Sequence, residues 1–308
     1  MSAIRISNLT KKFGDFTAVD GLSLDIADNR IVGFLGPNGA GKTTTLRMLV
    51  GLSCPTAGTI EIGGQPVIFG SSKQNIGFGY LPESPSFYGW MTGQEYMEFV
   101  GSLYRLDSDE LGKTVKHYLE LVGLTAAARK KIKSFSLGMK QRLGIAQALI
   151  NNPKVLIMDE PLSALDPLGR REVLAVIEQL KNSMTILMST HILADVDRIC
   201  DDVAIINQGQ LLAFSSLPEL KTKYATPQVV VELSGQPKSF IADLKKQGWV
   251  KDAALTEKIL KISLNSLTDV DDNRALKYFV EKKININRYD VAMPETEDLF
   301  VEIIGDKK

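Results

Sequence analysis

Gly36-Pro37-Asn38-Gly39-Ala40-Gly41-Lys42-Thr43 is the stretch whose reading decides the fold. It fits G-x-x-x-x-G-K-[ST], the pattern of a phosphate-binding loop. Just before it, Ile31-Val32-Gly33-Phe34-Leu35 reads as a short buried strand, and just after it Thr44 to Val50 continues as a helical run. That strand–loop–helix order gives the pattern its physical meaning. The glycines let the backbone wrap a polyphosphate so that successive N–H groups point inward, at the positive end of the following helix. Lys42 would reach the β- and γ-phosphates, the Thr43 hydroxyl would ligate Mg2+, and Thr44 completes the nucleotide-binding set. The loop predicts a nucleoside triphosphate site.

Outward from the loop, short runs rich in Ile, Val and Leu recur between longer helical stretches: Ile31–Leu35, Val155–Met158, Thr185–Ser189 and Val203–Ile206. This alternation predicts an α/β fold with a mostly parallel sheet covered on both faces. The N-terminal runs Ile4–Ser7, Leu22–Ile26 and Gly58–Ile62 alternate apolar and polar residues and predict an antiparallel sheet. Between about 86 and 150 helical patterns such as Lys113–Val122 and Lys140–Leu149 take over, a helical subdomain. The pattern changes near residue 225, so residues 1–225 are expected to form one domain and 226–308 a small α+β domain. In the latter, Gln228–Leu233 and Ile259–Leu264 read as strands, and Phe240–Gln247 and Ala275–Glu281 as helices.

A phosphate-binding loop serves many enzymes, and a second motif narrows the choice. Val155-Leu156-Ile157-Met158-Asp159-Glu160 is an apolar strand ending in two acids. A strand tip presents carboxylates rigidly, and adjacent residues diverge, so the two can take different roles. Asp159 would hold Mg2+, while Glu160 would face the γ-phosphate and orient or deprotonate the attacking water.

The composition excludes several classes. Lys plus Arg (36) equal Asp plus Glu (36), so charge gives no argument for a nucleic-acid partner. The two cysteines, Cys54 and Cys200, have neither metal nor redox spacing, as in a reducing compartment. No apolar run approaches the length of a membrane span, so membrane work would need another chain. Arg129-Lys130-Lys131-Ile132-Lys133 reads as a solvated charge run, and Asp201-Asp202 as a polar turn. The aromatics of Phe87-Tyr88-Gly89-Trp90-Met91 fit either core packing or a groove for a partner helix.

Three further segments carry a resemblance. Phe135-Ser136-Leu137-Gly138-Met139-Lys140-Gln141-Arg142 precedes the acidic strand, Ser163-Ala164-Leu165-Asp166 follows it, and Ser189-Thr190-His191 follows the strand Thr185–Met188. Together with the loop and the acidic pair, their order and spacing resemble the ATP-binding subunit of an ATP-binding-cassette (ABC) transporter over roughly residues 2–220. The resemblance implies ATP and Mg2+ as ligands, with Glu160, His191 and Lys42 catalytic. It implies that Phe13 stacks on adenine, that Asp166 touches an opposite subunit, and that His191 contacts the γ-phosphate. Ser136 and Gly138 would bind the γ-phosphate held by the other subunit, so ATP would bridge a homodimer or heterodimer. Implied partners are polytopic membrane permease subunits, with the chain peripheral on the cytoplasmic face of the cell membrane.

Two motifs depart from the family pattern. Leu137 and Met139 stand where glycine and glutamine are usual, and Glu83, in Tyr80-Leu81-Pro82-Glu83, replaces a glutamine near Mg2+. Both variants resemble the exporter branch that includes bacitracin- and daunorubicin-resistance transporters. Two other classes remain: a soluble cassette ATPase acting on DNA or ribosomes, and a regulatory module. About fifty residues between Glu83 and Ser136, without sustained heptads, and a single phosphate-binding loop argue against the former. The intact Asp159-Glu160 pair argues against the latter.

Overall fold

Strands at the N-terminus bury their apolar residues and expose the polar ones between them, so they must pair with one face on a core. The computed structural model describes residues 2–70, 77–224, 227–234, 240–292, 300 and 303. In chain order, β1 (Ser2–Phe13), β2 (Phe16–Ala27) and β3 (Ile31–Leu35) lead into α1 (Lys42–Leu49), followed by β4 (Ala57–Ile62), β5 (Gln65–Pro66) and β6 (Phe78–Leu81). The helices α2 (Gly93–Leu103), α3 (Ser108–Leu121) and α4 (Leu137–Leu149) come next. Then β7 (Val155–Met158), α5 (Pro167–Leu180), β8 (Thr185–Thr190), α6 (Leu193–Ile199), β9 (Asp202–Asn207) and β10 (Gln210–Ser216) lead to α7 (Leu217–Tyr224).

Two sheets build this first unit. One is antiparallel, in the order β2-β1-β4-β5; the other runs β10-β9-β3-β8-β7-β6, parallel from β9 to β6 with β10 added antiparallel at its edge. Every residue of β3, β7 and β8 is buried, as expected of central parallel strands covered on both faces. Ile4, Ile6, Leu9, Leu22 and Ile26 of the antiparallel sheet share one core with Phe34, Leu46 and Leu49, so the strand before the loop and the helix after it are anchored from the same side. The helical segment starts crisply because Thr92 and Glu95 form a reciprocal capping box on α2.

The chain divides into two units, Met1–Leu217 and Pro218–Lys308. This division falls at the start of α7, a few residues before the change of sequence pattern near residue 225. The second unit comprises β11 (Gln228–Leu233), α8 (Ile241–Leu244), β12 (Val250–Thr256), β13 (Ile259–Leu264), α9 (Leu267–Asp271), α10 (Arg274–Glu281) and β14 (Ile286–Ala292). Its sheet order, β12-β13-β11-β14, all antiparallel, is the split βαβ arrangement. Val229, Val231, Leu260, Ile262, Tyr278 and Phe279 pack into its core.

The helix expected over Phe240–Gln247 is shorter. Only Ile241–Leu244 is α-helical, since Lys246 and Gln247 close three-residue bonds to Asp243 and Leu244 ahead of Gly248. Strands β6, β10, β12 and β14 went unread, being short or broken by charged and small residues. Asp201-Asp202 also differs from the expected turn: Asp202 opens β9 and takes a bidentate contact from Arg30 (2.7 and 2.5 Å). Asp201 accepts the Ile31 N–H at 3.0 Å and pairs with Lys181 at 3.0 Å. Burial alone would raise the Asp201 carboxyl, but the Ile31 N–H and Lys181 together hold it below its ordinary value.

Candidate functional site

Strand β3 ends between β8 and β9, so the loop after it emerges at the carboxyl edge of the parallel sheet, where ligands of open α/β sheets bind. The loop cannot carry larger residues at its ends. Gly36 lies against the backbone of Ile206, and Gly41 has φ 103° with its missing Cβ position 2.6 Å from the Ala18 carbonyl oxygen. Gly41 leads directly into α1, whose first-turn N–H groups have no partners within the helix.

The acids reach this loop because β7 and β8 pair in parallel, Met158 beside Met188. Asp159 is buried, and its Oδ1 accepts both the Thr43 hydroxyl (3.2 Å) and the Ser189 hydroxyl (2.7 Å). Glu160 follows with φ 47°, a left-handed conformation that turns its carboxylate away from that of Asp159. Lys42 Nζ stands 3.3 Å from Glu160 Oε1 and donates to the Gly36 carbonyl oxygen at 2.7 Å. His191 Nδ1 lies 2.9 Å from Glu160 Oε2. Since an ionised carboxylate can only accept, Nδ1 carries the proton in that contact and Nε2 is left for a second partner. The turn presenting His191 is held by the Ile192 N–H donating to the Thr190 hydroxyl at 3.0 Å.

Lys42, Thr43, Glu160 and His191 line a cavity of about 370 Å3, together with Pro37, Asn38, Gly39, Ala40, Gly41, Thr44, Glu83 and Ser163. On β6, Tyr80 is pushed up to about 12 by burial and then by the Asp159 charge, so it stays a neutral phenol. Phe16 and Ala18 complete the lining. Phe13, expected to stack on adenine, is half exposed at the other end of the hairpin tip and pairs across it with Phe16. Phe16 was not singled out in the sequence, and Ser163 was quoted only in the segment leading to Asp166, with no role; aromatic residues on both sides of the Gly14-Asp15 turn were the available signal for Phe16.

Ser136, Gly138 and Asp166 do not line this cavity. Ser136 caps α4 by accepting the Met139 N–H (3.2 Å), and Asp166 caps α5 by accepting the Gly169 N–H (2.9 Å). The two helix starts adjoin, the Cβ position of Gly138 lying 3.4 Å from the Gly169 Cα. Leu137 and Leu168 are exposed beside them.

A profile of the ABC transporter family matches residues 19–163. An ABC transporter ATP-binding protein of Bacillus subtilis (strain 168) is 38% identical over 306 residues, covering 98% of this chain and 99% of the relative. The bacitracin transport ATP-binding protein of Bacillus licheniformis is 36% identical over 98% of this chain and 97% of its own. The linearmycin resistance ATP-binding protein of Bacillus subtilis (strain 168) is 32% identical over 98% of both chains. Among solved structures, an ATP-binding subunit of an ABC transporter superposes with a TM-score of 0.65 at 29% identity, over 72% of this chain and 93% of that one. The chain belongs to the ATP-binding subunits of ABC transporters, the ATPases that power transport through separate membrane subunits.

Proposed function

We propose that this chain binds Mg·ATP in the cavity around Lys42 and hydrolyses it as one half of an ATP-closed dimer, driving export through polytopic permease subunits. The observation that carries the reading is the convergence of Lys42 and His191 on the two oxygens of Glu160, at 3.3 and 2.9 Å. The loop N–H groups and Lys42 bind the β- and γ-phosphates. Glu160 accepts the proton of the attacking water, and His191 holds that carboxylate in place while Nε2 faces the γ-phosphate. Thr43, Asp159 and Glu83 offer only hard oxygen donors, two of them already in contact, a set that suits Mg2+ carried in with the nucleotide. The ion would neutralise charge developing on the phosphate oxygens.

Adenine stacks on the hairpin tip between β1 and β2, with Phe16 and Phe13 the available rings. Ser136, Gly138 and Asp166 lie outside this chain's own cavity, which supports their serving the nucleotide of a second ATP-binding subunit, a copy or a relative of this chain. A groove of about 490 Å3 on the helical segment, lined by Phe87, Tyr88, Tyr96, Phe99 and Leu103, suits a short helix of the permease on the cytoplasmic face. Trp90, 69% exposed, stands against Tyr88 at its rim. The export direction draws on the bacitracin and linearmycin relatives.

Affinity purification of the chain from detergent-solubilised membranes tests the reading. A stoichiometric polytopic protein that stimulates ATP turnover is expected. Recovery with ribosomal or DNA-bound partners and no polytopic membrane protein overturns it.

A further inference from the structure

Ser189 is fully buried at the end of β8, between β3 (Phe34 beside Ser189) and the tip of β7. Its hydroxyl has one proton and free lone pairs, and it uses both capacities on the catalytic acids. The proton goes to Asp159 Oδ1 at 2.7 Å, and the oxygen accepts the Glu160 N–H at 2.8 Å. That N–H belongs to the residue whose φ is 47°, a conformation a non-glycine residue keeps only when its surroundings hold it. Asp159 Oδ1 thereby accepts from two hydroxyls, those of Ser189 and Thr43.

We propose that Ser189 is a positioning residue for ATP hydrolysis: one hydroxyl sets both the side-chain rotamer of Asp159 and the backbone turn that aims Glu160. The inference rests on the assignment of Glu160 and Asp159 given above. Alanine there leaves a buried N–H without its partner and removes one of the two donors fixing Asp159. The carboxylates stay present but lose their relative aim. Catalysis is sensitive to displacements on this scale, and partners that orient metal-binding carboxylates are commonly worth about 10–100-fold in activity or metal affinity.

The test compares the full-length Ser189→Ala and Ser189→Thr variants, purified with the membrane partner, with the parent. Nucleotide affinity is read without divalent cation using a fluorescent ATP analogue. Mn2+ affinity is read by electron paramagnetic resonance with a non-hydrolysable ATP analogue bound, and kcat and KM by phosphate release. In Ser189→Ala the cation-free nucleotide affinity is expected to stay within about twofold, while kcat falls about 10–100-fold and Mn2+ affinity falls with it. Ser189→Thr keeps the hydroxyl and is expected to recover both. Mn2+ affinity and kcat unchanged in Ser189→Ala overturn the proposal. So does a drop in cation-free nucleotide affinity that matches the drop in kcat, because that marks general damage to the fold. If Glu160→Gln leaves turnover intact while Ser189→Ala lowers it, the assignment of Glu160 has failed instead.

Discussion

Lys42 Nζ and Glu160 Oε1 stand 3.3 Å apart, with both residues buried (6% and 8% exposed). The cation proposed to hold phosphates and the carboxylate proposed to take a proton from water neutralise each other across the cavity. The Gly36 and Pro37 carbonyl oxygens, at 2.7 and 3.3 Å, take the remaining ammonium protons. On the proposed function, a γ-phosphate arriving here would compete with Glu160 for Lys42, so nucleotide entry would free the base as it engages the cation.

Lys42→Ala is accordingly expected to lose ATP affinity by about 10²-fold or more, since truncating one member of a buried charge pair leaves the other uncompensated. Titration calorimetry with ATP and with ADP measures it. Affinity within threefold of the parent would remove Lys42 from phosphate binding.

Glu160→Gln keeps the shape of the site and both neighbours but cannot take a proton. It should bind ATP and slow hydrolysis by about 10²–10⁴-fold. With ATP present, gel filtration should show a dimer that the parent forms only transiently. Turnover close to that of the parent would reassign the base.

Tyr88 and Trp90 are half or more exposed at the aromatic groove, away from the cavity around Lys42. Replacing both with alanine should weaken co-purification of the membrane partner several-fold, as loss of aromatic anchors does at interfaces. ATP affinity of the isolated chain should not move. A partner retained at full stoichiometry would place the docking surface elsewhere.

Asp201→Asn tests the clamp beneath β3. Because the folded carboxyl titrates below its ordinary value, its stabilisation is complete above the unfolded pKa and disappears as pH falls through the folded one. At pH 7 the variant should be less stable by about 1 kcal/mol, from the lost Lys181 pair and the weaker acceptor for Ile31 N–H. In acid, below the lowered folded pKa, the two proteins should converge. Thermal melts at both pH values decide it; a gap that persists in acid points to packing instead of charge.

Much of the fold was legible because its signals are local. A continuous apolar run such as Val155–Met158 marks a buried strand by itself, and a glycine loop between a strand and a helix has few alternatives. Gln210–Ser216, Val250–Thr256 and Ile286–Ala292 carry no such signal. They are strands because their neighbours supply the missing half of each hydrogen bond, and pairing partners are not written in the segment itself.

The sequence by itself determined which residue types exist to do the chemistry: Lys42 and Thr43 in the loop, Asp159 and Glu160 at a strand tip, and His191 after a strand. Local spacing sets each motif. Only the tertiary structure decided how they meet, because Thr43 and Asp159, or Asp159 and Ser189, are brought together by the parallel register of β3, β8 and β7. That register put Ser189 between the two acids; the folding of the β1–β2 hairpin placed Phe16 on the cavity, while Ser136 and Asp166 cap helices outside it. Contacts between residues far apart in the chain depend on strand order and packing, and those are properties of the whole core.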